Sequence, residues 1–213
     1  MYIGGTDSRG LHHLVSEVLD NAMDEAVAGY ATKIDIEFSS EEEISISDNG
    51  RGIPIDFHPK FPNKTALEVI FCTLHAGGKF SGKNYATSGG LHGVGISVVN
   101  ALSEKLTVEV VKNNACYSQS FSKGMPLEKL KKIGKSKIRS GTKITFSPDS
   151  TIFSVSKFFN PEKIYDLAKS KAYLFSGVTI DWRAPNIKQS QLNKIPTAET
   201  FHFKNGLIDL VKS

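Results

Sequence analysis

Ser88-Gly89-Gly90-Leu91-His92-Gly93-Val94-Gly95, the run SGGLHGVG, places four glycines within eight positions, directly before Ile96-Ser97-Val98-Val99-Asn100-Ala101-Leu102. The second run has the apolar spacing of a buried helix start. Glycine lets backbone N–H groups approach an anion with no Cβ in the way, and a helix N-terminus adds partial positive charge. The pair of runs therefore predicts a phosphate site. The P-loop pattern, in which Gly-Lys-Ser/Thr closes the loop, occurs nowhere in the chain, so the phosphate must be held by another architecture.

Outward from this loop the chain alternates between helix and strand patterns. On the N-terminal side, Leu11, Leu14, Val15, Val18, Leu19, Ala22, Met23 and Ala26 fall at helical spacing, with Asp7 or Ser8 as N-cap and Gly29 as the stop. His13, Glu17 and Asn21 recur every fourth residue on that helix and form one polar stripe. Ile34–Phe38 and Ile44–Ile46 alternate polar and apolar residues around a Ser39–Glu43 turn, the pattern of a hairpin with one buried face. Leu67–Leu74 reads as a short helix. Leu106–Val111, Ala115–Phe121, Thr142–Phe146, Val178–Trp182 and Thr200–Phe203 read as strands, and Lys163–Leu174 as a helix. No repeat and no regular βαβ alternation appears. The expected fold is an α/β (α+β) sandwich, a mixed and largely antiparallel sheet with helices on one face, forming a single domain over 1–213.

Composition limits the function classes without choosing among them. Of 213 residues, 39% are hydrophobic and 23% charged, as in ordinary globular domains. The 26 basic and 22 acidic residues leave a net charge of only +4, weak support for a nucleic-acid partner. Lys129–Arg139 (KLKKIGKSKIR) is basic but contains no aromatic residue for base stacking, and is expected to be a charged, mobile surface segment. Cys72 and Cys116 lack metal or redox spacing, which points to buried thiols in a reducing compartment. There is no run of ~18 apolar residues and no signal peptide, so no membrane is expected and the location is read as cytoplasmic. Met1-Tyr2-Ile3-Gly4 reads as the middle of a longer chain.

A second glycine segment supplies the likeness to a nucleotide site. The strand Ile44–Ser47 runs into Asp48-Asn49-Gly50-Arg51-Gly52-Ile53-Pro54, setting a buried acceptor beside open backbone. A carboxylate there would accept a hydrogen bond from an adenine amino group and repel the oxo group of guanine. Glu17 and Asn21, one turn apart on one helix, would address one phosphate together. Alone, either pattern fits an ordinary turn or a solvated helix flank, and Arg51 fits a structural ion pair. It is their coincidence with SGGLHGVG that favours a site.

These segments, with Glu17–Ala26 (EVLDNAMDEA) and His75–Phe80 (HAGGKF), resemble the ATPase domain of the B-type subunits of type II DNA topoisomerases, within the wider GHKL (Bergerat-fold) ATPase family. The lid residues Ser81, Lys83 and Asn84, and Ala168–Ala172, are more similar to the topoisomerase IV subunit (ParE) than to the gyrase subunit (GyrB). The resemblance implies ATP and Mg²⁺ as cofactors. Glu17 matches the general base for the attacking water, His13 the histidine supporting it, and Asn21 the Mg²⁺ ligand. Asp48 matches the adenine-reading carboxylate, helped through a water by Thr142. Glu25 and Arg51 match an ion pair flanking the adenine pocket, beside Gly52, with Ile53 and Pro54 as its apolar wall. Lys79 and Tyr85 belong to the lid, while Gly90, Leu91, His92, Gly93, Val94, Gly95 and Ile96 supply phosphate-facing backbone and the helix start. The implied partners are a second copy of the same chain in an ATP-dependent dimer, the A-type subunit, DNA and ATP-site inhibitors. The family's N-terminal arm and C-terminal transducer domain are expected outside 1–213. Many relatives have an arginine at the pocket mouth where this chain has Lys112, which keeps the charge but loses the planar fork. The competing readings are the gyrase counterpart and a nucleotide switch that does not hydrolyse. A kinase of the wider fold would need a phosphoacceptor-histidine helix domain, which nothing in the sequence resembles.

Overall fold

The structure, a computed structural model, describes residues 3, 5–74, 95–154, 158–188, 192 and 195–212. The first helix, α1 (Ser8–Val27), begins where Asp7 Oδ1 accepts hydrogen bonds from the backbone N–H groups of Arg9 and Gly10, each at 3.1 Å. Such a cap satisfies donors that the first helical turn leaves without partners. The helix stops at Gly29, whose φ of +78° takes the backbone into the left-handed region, a common way to end a helix. One side of α1, comprising Leu11, Leu14, Val15, Val18, Leu19, Ala22 and Met23, is no more than 3% exposed. At about 1.5–3 kcal/mol for each large side chain removed from water, this stripe is what fixes the helix to the sheet.

The sheet begins with the expected hairpin, β1 (Lys33–Ser40) and β2 (Glu43–Asp48). A small two-stranded sheet, β3 (Phe57–His58) with β4 (Phe61–Thr65), leads into α2 (Ala66–Cys72). Next come α3 (Gly95–Ala101), β5 (Ser103–Lys112), β6 (Ala115–Ser122), β7 (Met125–Pro126), β8 (Lys131–Lys135) and β9 (Ser140–Pro148). The chain continues through α4 (Pro161–Leu174), β10 (Thr179–Arg183), β11 (Ala198–His202) and α5 (Leu207–Lys212). The main sheet runs β11-β10-β1-β2-β9-β5-β6-β7, with β8 also on β6. Among the described pairs, β1 with β10 is parallel and the rest are antiparallel.

Strand register lays the two faces out as rows. Phe38, Ile44, Phe146, Leu106 and Phe121 lie side by side across β1-β2-β9-β5-β6, and the next row is Ile36, Ile46, Ile144, Val108 and Gln119. The intervening rows are polar, with Asp35, Ser47, Lys143, Glu109 and Ser118 in one of them. Because side chains alternate faces, one face is apolar and the other hydrophilic. α1 packs on β1, β2 and β9, α3 on β5 and β6, and α4 on β10 and β11. A third row on the apolar face reads Ile34, Asp48, Thr142, Val110 and Tyr117, so two polar side chains stand where the pattern calls for core residues.

The basic run departs from expectation. Lys131–Lys135 is an ordered edge strand, its residues paired with Ala115–Ser118 of β6, rather than a mobile segment. All five of its residues are exposed, so no alternation marked it as a strand, and its lysines suit an edge that must not pair with another chain. Cys72 and Cys116 are free thiols, but each is half-buried rather than enclosed in the core. Among the described residues, no helix is long and apolar enough to cross a membrane.

Candidate functional site

Asp48 ends β2 in phase with Ile44 and Ile46, which places its carboxylate on the apolar face at 7% exposure. Its Oδ1 accepts the Gly50 N–H at 2.8 Å. Burial pushes the carboxyl up to about 7, with the Glu25 charge adding to the rise, while the backbone N–H groups of Gly50 and Thr142 oppose it, the ordinary result of desolvating a carboxylate. The turn that follows depends on glycine. Gly52 has φ +73°, and a Cβ there would meet the Val111 carbonyl at 2.9 Å, a position open only to a residue without a side chain. Thr142 lies opposite Asp48 on β9, and its hydroxyl oxygen accepts the Ile53 N–H at 3.2 Å. Ile53 is half-buried against the core and Pro54 is exposed at the rim. Asn49, which the sequence reading passed over, anchors the turn. Its Oδ1 accepts from the N–H groups of Thr32 (2.8 Å) and Lys33 (3.0 Å), and its Nδ2 donates to Thr32 Oγ1. An Asp-Asn-Gly turn could have signalled this, since asparagine side chains mimic backbone turns.

Glu25, from the last turns of α1, and Arg51 form a forked pair. Arg51 Nη2 donates to Glu25 Oε1 at 2.7 Å, while Nε (3.1 Å) and the backbone N–H (3.0 Å) both donate to Oε2. The guanidinium also lies 3.7 Å from the centre of the Tyr30 ring, a cation–π contact that sequence spacing does not reveal. Farther up α1, His13 Nε2 stands 3.1 Å from Glu17 Oε1, with Glu17 the less exposed of the two. Asn21 follows one turn later, half-buried, and its carboxamide makes no hydrogen bond among the described residues. Glu17 and Glu25 are eight residues apart, so the stripe extends ~12 Å along the helix at ~1.5 Å per residue.

α3 begins at Gly95, as the glycine run predicts, and packs against α1. Ile96 buries its side chain and so has only backbone to offer a ligand. Lys79, Tyr85, Gly90, Leu91, His92, Gly93 and Val94 lie outside the described residues. Among those described, no group of three or more His, Cys, Asp or Glu could hold a metal ion. One carboxamide oxygen on a rigid helix does suit Mg²⁺, which keeps waters and takes phosphate oxygens alongside few protein ligands. A cavity of about 390 Å³ between α4 and α5, lined by Tyr173, Leu174, Leu207 and Leu210 among others, involves none of these residues.

Helices on one face of a largely antiparallel sheet, with a buried aspartate set into the apolar side, make this an α/β-sandwich domain with a candidate binding site at the end of β2. Residues 6–152 match the family model described as histidine kinase-, DNA gyrase B-, and HSP90-like ATPase, and the chain belongs to that family. Curated relatives that are B subunits of DNA topoisomerase 4 are similar along its whole length. The protein of Rickettsia conorii is 60% identical over 213 residues, covering 100% of this chain and 32% of its own. That of Bartonella bacilliformis is 56% identical over 209 residues, covering 98% and 30%. The 43K ATPase domain of Thermus thermophilus gyrase B, solved in complex with an aminocoumarin, matches with a TM-score of 0.83 at 38% identity, covering 100% of this chain and 51% of that one. The chain thus spans about a third of the length of the curated relatives it matches.

Proposed function

We propose that this chain is the ATP-binding and ATP-hydrolysing domain of a bacterial type II topoisomerase, the B subunit of topoisomerase IV, and that 1–213 forms one domain. The observation that carries the reading is the placement of two sites on one helix. Glu25 stands beside the buried Asp48, and the Glu17–His13 pair lies two turns away, so a nucleoside triphosphate can lie along α1 with its base at one end and its γ-phosphate at the other.

In this reading the Asp48 carboxylate accepts from the adenine amino group, and Thr142 supports the base through a water. Glu17 orients a water toward the γ-phosphorus and takes its proton as the new P–O bond forms. The bond to the β,γ-bridging oxygen breaks, and ADP leaves. His13 holds the Glu17 carboxylate in place. Asn21 is the side chain that would hold Mg²⁺, which neutralises phosphate charge during transfer. By resemblance to the family, Lys79 and Tyr85 would serve the nucleotide, and Gly90–Gly95 would serve its phosphates. Positioning and charge neutralisation are most of what phosphoryl transfer requires. In the whole enzyme ATP binding would dimerise two such domains around a DNA segment, with the A-type subunit as partner, and hydrolysis would reset the gate. Aminocoumarin-type inhibitors would compete at the adenine end.

Glu17→Ala tests the chemistry. ATP turnover should fall by about 10²–10⁴, the range for loss of a general base, with nucleotide binding retained. Unchanged turnover would leave a nucleotide switch as the better reading. The full-length protein with its A-type subunit should relax and decatenate DNA, whereas ATP-driven supercoiling would identify a gyrase.

A further inference from the structure

We propose that the Glu25–Arg51 pair sets the charge on Asp48, and through it the preference of the site for a 6-amino over a 6-oxo purine. This rests on the reading of Asp48 as the base-facing carboxylate and assigns Glu25 and Arg51 a positioning role within it. A Cβ added to Gly50 would lie 2.8 Å from Asp48 Oδ1 and 2.8 Å from Glu25 Oε2. The two carboxylates therefore face each other across a glycine with no side chain between them, within the ~4–6 Å over which one charge moves the pKa of another by about a unit or more. Asp48 is buried, so water screens that repulsion poorly.

The groups around Asp48 act in opposite directions. From α1, Glu25 brings negative charge. From the turn, Gly50 donates its N–H, and Arg51 answers Glu25 with two guanidinium bonds and one from its backbone. From β9, Thr142 contributes a backbone N–H, and from β1 the neighbour in register is the apolar Ile34. Burial, the largest influence, with Glu25 adding to it and the Gly50 and Thr142 N–H groups opposing, leaves the Asp48 carboxyl at about 7, where small changes in its surroundings alter its charge.

The charge matters because it inverts the hydrogen-bond code. An ionised carboxylate only accepts, so it takes the proton of a 6-amino group and repels a 6-oxo oxygen. Once protonated it can donate, and a 6-oxo purine is no longer excluded. By opposing Glu25, Arg51 holds the Asp48 transition below where Glu25 alone would set it, so more of the accepting form is present near neutral pH. Glu25 without Arg51 would push Asp48 toward its donating form.

ATP and inosine triphosphate carry the same triphosphate, so the ratio of their affinities cancels phosphate and Mg²⁺ titration. Calorimetry with both nucleotides between about pH 6 and about pH 8.5 brackets the Asp48 transition. In the native chain the ratio should fall by about tenfold as acidification passes through that transition, a difference of ~1.4 kcal/mol. Glu25→Gln should move the fall to lower pH by about one unit, and Arg51→Gln should move it to higher pH by a similar amount. Arg51→Lys, which keeps the charge, should leave it within a few tenths. Following the Asp48 carboxyl by ¹³C NMR in the ligand-free variants should give the same order. Coincident midpoints in native, Glu25→Gln and Arg51→Gln protein, whatever the absolute affinities, would overturn the proposal. Asp48→Asn separates the two levels: if it binds ATP as tightly as the native chain, the base-facing reading itself fails. If Arg51→Gln does not fold, the near-isosteric Glu25→Gln decides alone: an unmoved midpoint would show that Glu25 does not govern Asp48.

Discussion

A carboxylate on the core side of β2 works against the ligand-free fold, because burial penalises its charged form and no cation among the described residues compensates it directly. Asp48 binds its proton more tightly in the folded chain than in the unfolded one. Between the ordinary carboxylate value of 3.8 and about 7 the folded state holds the extra proton, so stability falls as pH rises through that window. Asp48→Asn keeps an oxygen for the Gly50 N–H but removes the charge. It should raise the melting temperature of the ligand-free chain above pH 7 by about 2–4 °C, what ~1 kcal/mol gives a domain of this size, while weakening ATP binding. A lowered melting temperature at that pH would show that the charge is not a burden. Lys112 offers a second test. It ends β5 directly after Val111, whose carbonyl abuts Gly52, so it stands at the rim of the Asp48 turn. Lys112→Arg restores a planar fork there and should tighten binding of an aminocoumarin by about two- to tenfold, or ~0.4–1.4 kcal/mol. Equal affinities for the two proteins would remove that role.

Between elements, α1 is held to α4 by polar contacts as well as by its apolar stripe. His12 accepts the Asn160 N–H at Nε2 (2.8 Å) and donates from Nδ1 to the Ser8 carbonyl, so a neutral ring of one tautomer joins the starts of α1 and α4. Farther along, Lys171 of α4 reaches Asp20 at 2.6 Å. Burial, aided by the charge of Lys163, holds the His12 pKa below its ordinary 6.5. The unfolded chain thus takes up this proton first, and stability present above pH 6.5 is lost as pH falls below it. Asp48 titrates with the opposite sign over an overlapping range, so the measurement belongs in the Asp48→Asn background. There the melting temperature should decline below pH 6.5, and His12→Gln should flatten the decline; an unchanged slope would clear His12. Such contacts explain what could and could not be read from sequence. α1, the β1–β2 hairpin and the cap at Asp7 announce themselves through period and residue type. The Glu17–Asn21 stripe is likewise visible because helical spacing converts directly into a shared face. Tyr30 is invisible by the same logic, since its partner lies on another element, and the Asp-Asn-Gly turn marks Asn49 without naming Thr32 and Lys33 as its partners. β8 and β4 escaped because a strand without a buried residue shows no alternation, and β3 and β7, of two residues each, are too short to carry a period.

At the scale of the molecule, one apolar layer joins the N-terminal and C-terminal halves. The core cluster runs without a break from Leu11 on α1 through Phe38, Phe146 and Phe121 to Trp182 and Phe201 at the far edge of the sheet. The parallel pairing of β1 with β10 sets Lys33–Glu37 beside Thr179–Arg183, so the late strands complete the sheet rather than form a unit of their own. Trp182 packs edge-on against Phe38 of β1 and Tyr165 of α4, with ring centroids 5.4 and 5.6 Å away, and its indole N–H donates to the Pro196 carbonyl. Its fluorescence therefore reports the edge farthest from β5 and β6, while far-UV circular dichroism is weighted toward helices such as α1. If 1–213 is one cooperative domain, urea titrations followed by the two signals should give coincident midpoints, as two-state unfolding requires. A saturating adenine nucleotide, if it binds at the proposed site between α1 and the Asp48 turn, should shift both midpoints equally, because ligand bound to the native state stabilises the whole cooperative unit. Separate midpoints, or a shift confined to the helical signal, would mean that β10, β11 and α4 melt apart from the nucleotide site and would divide the chain in two.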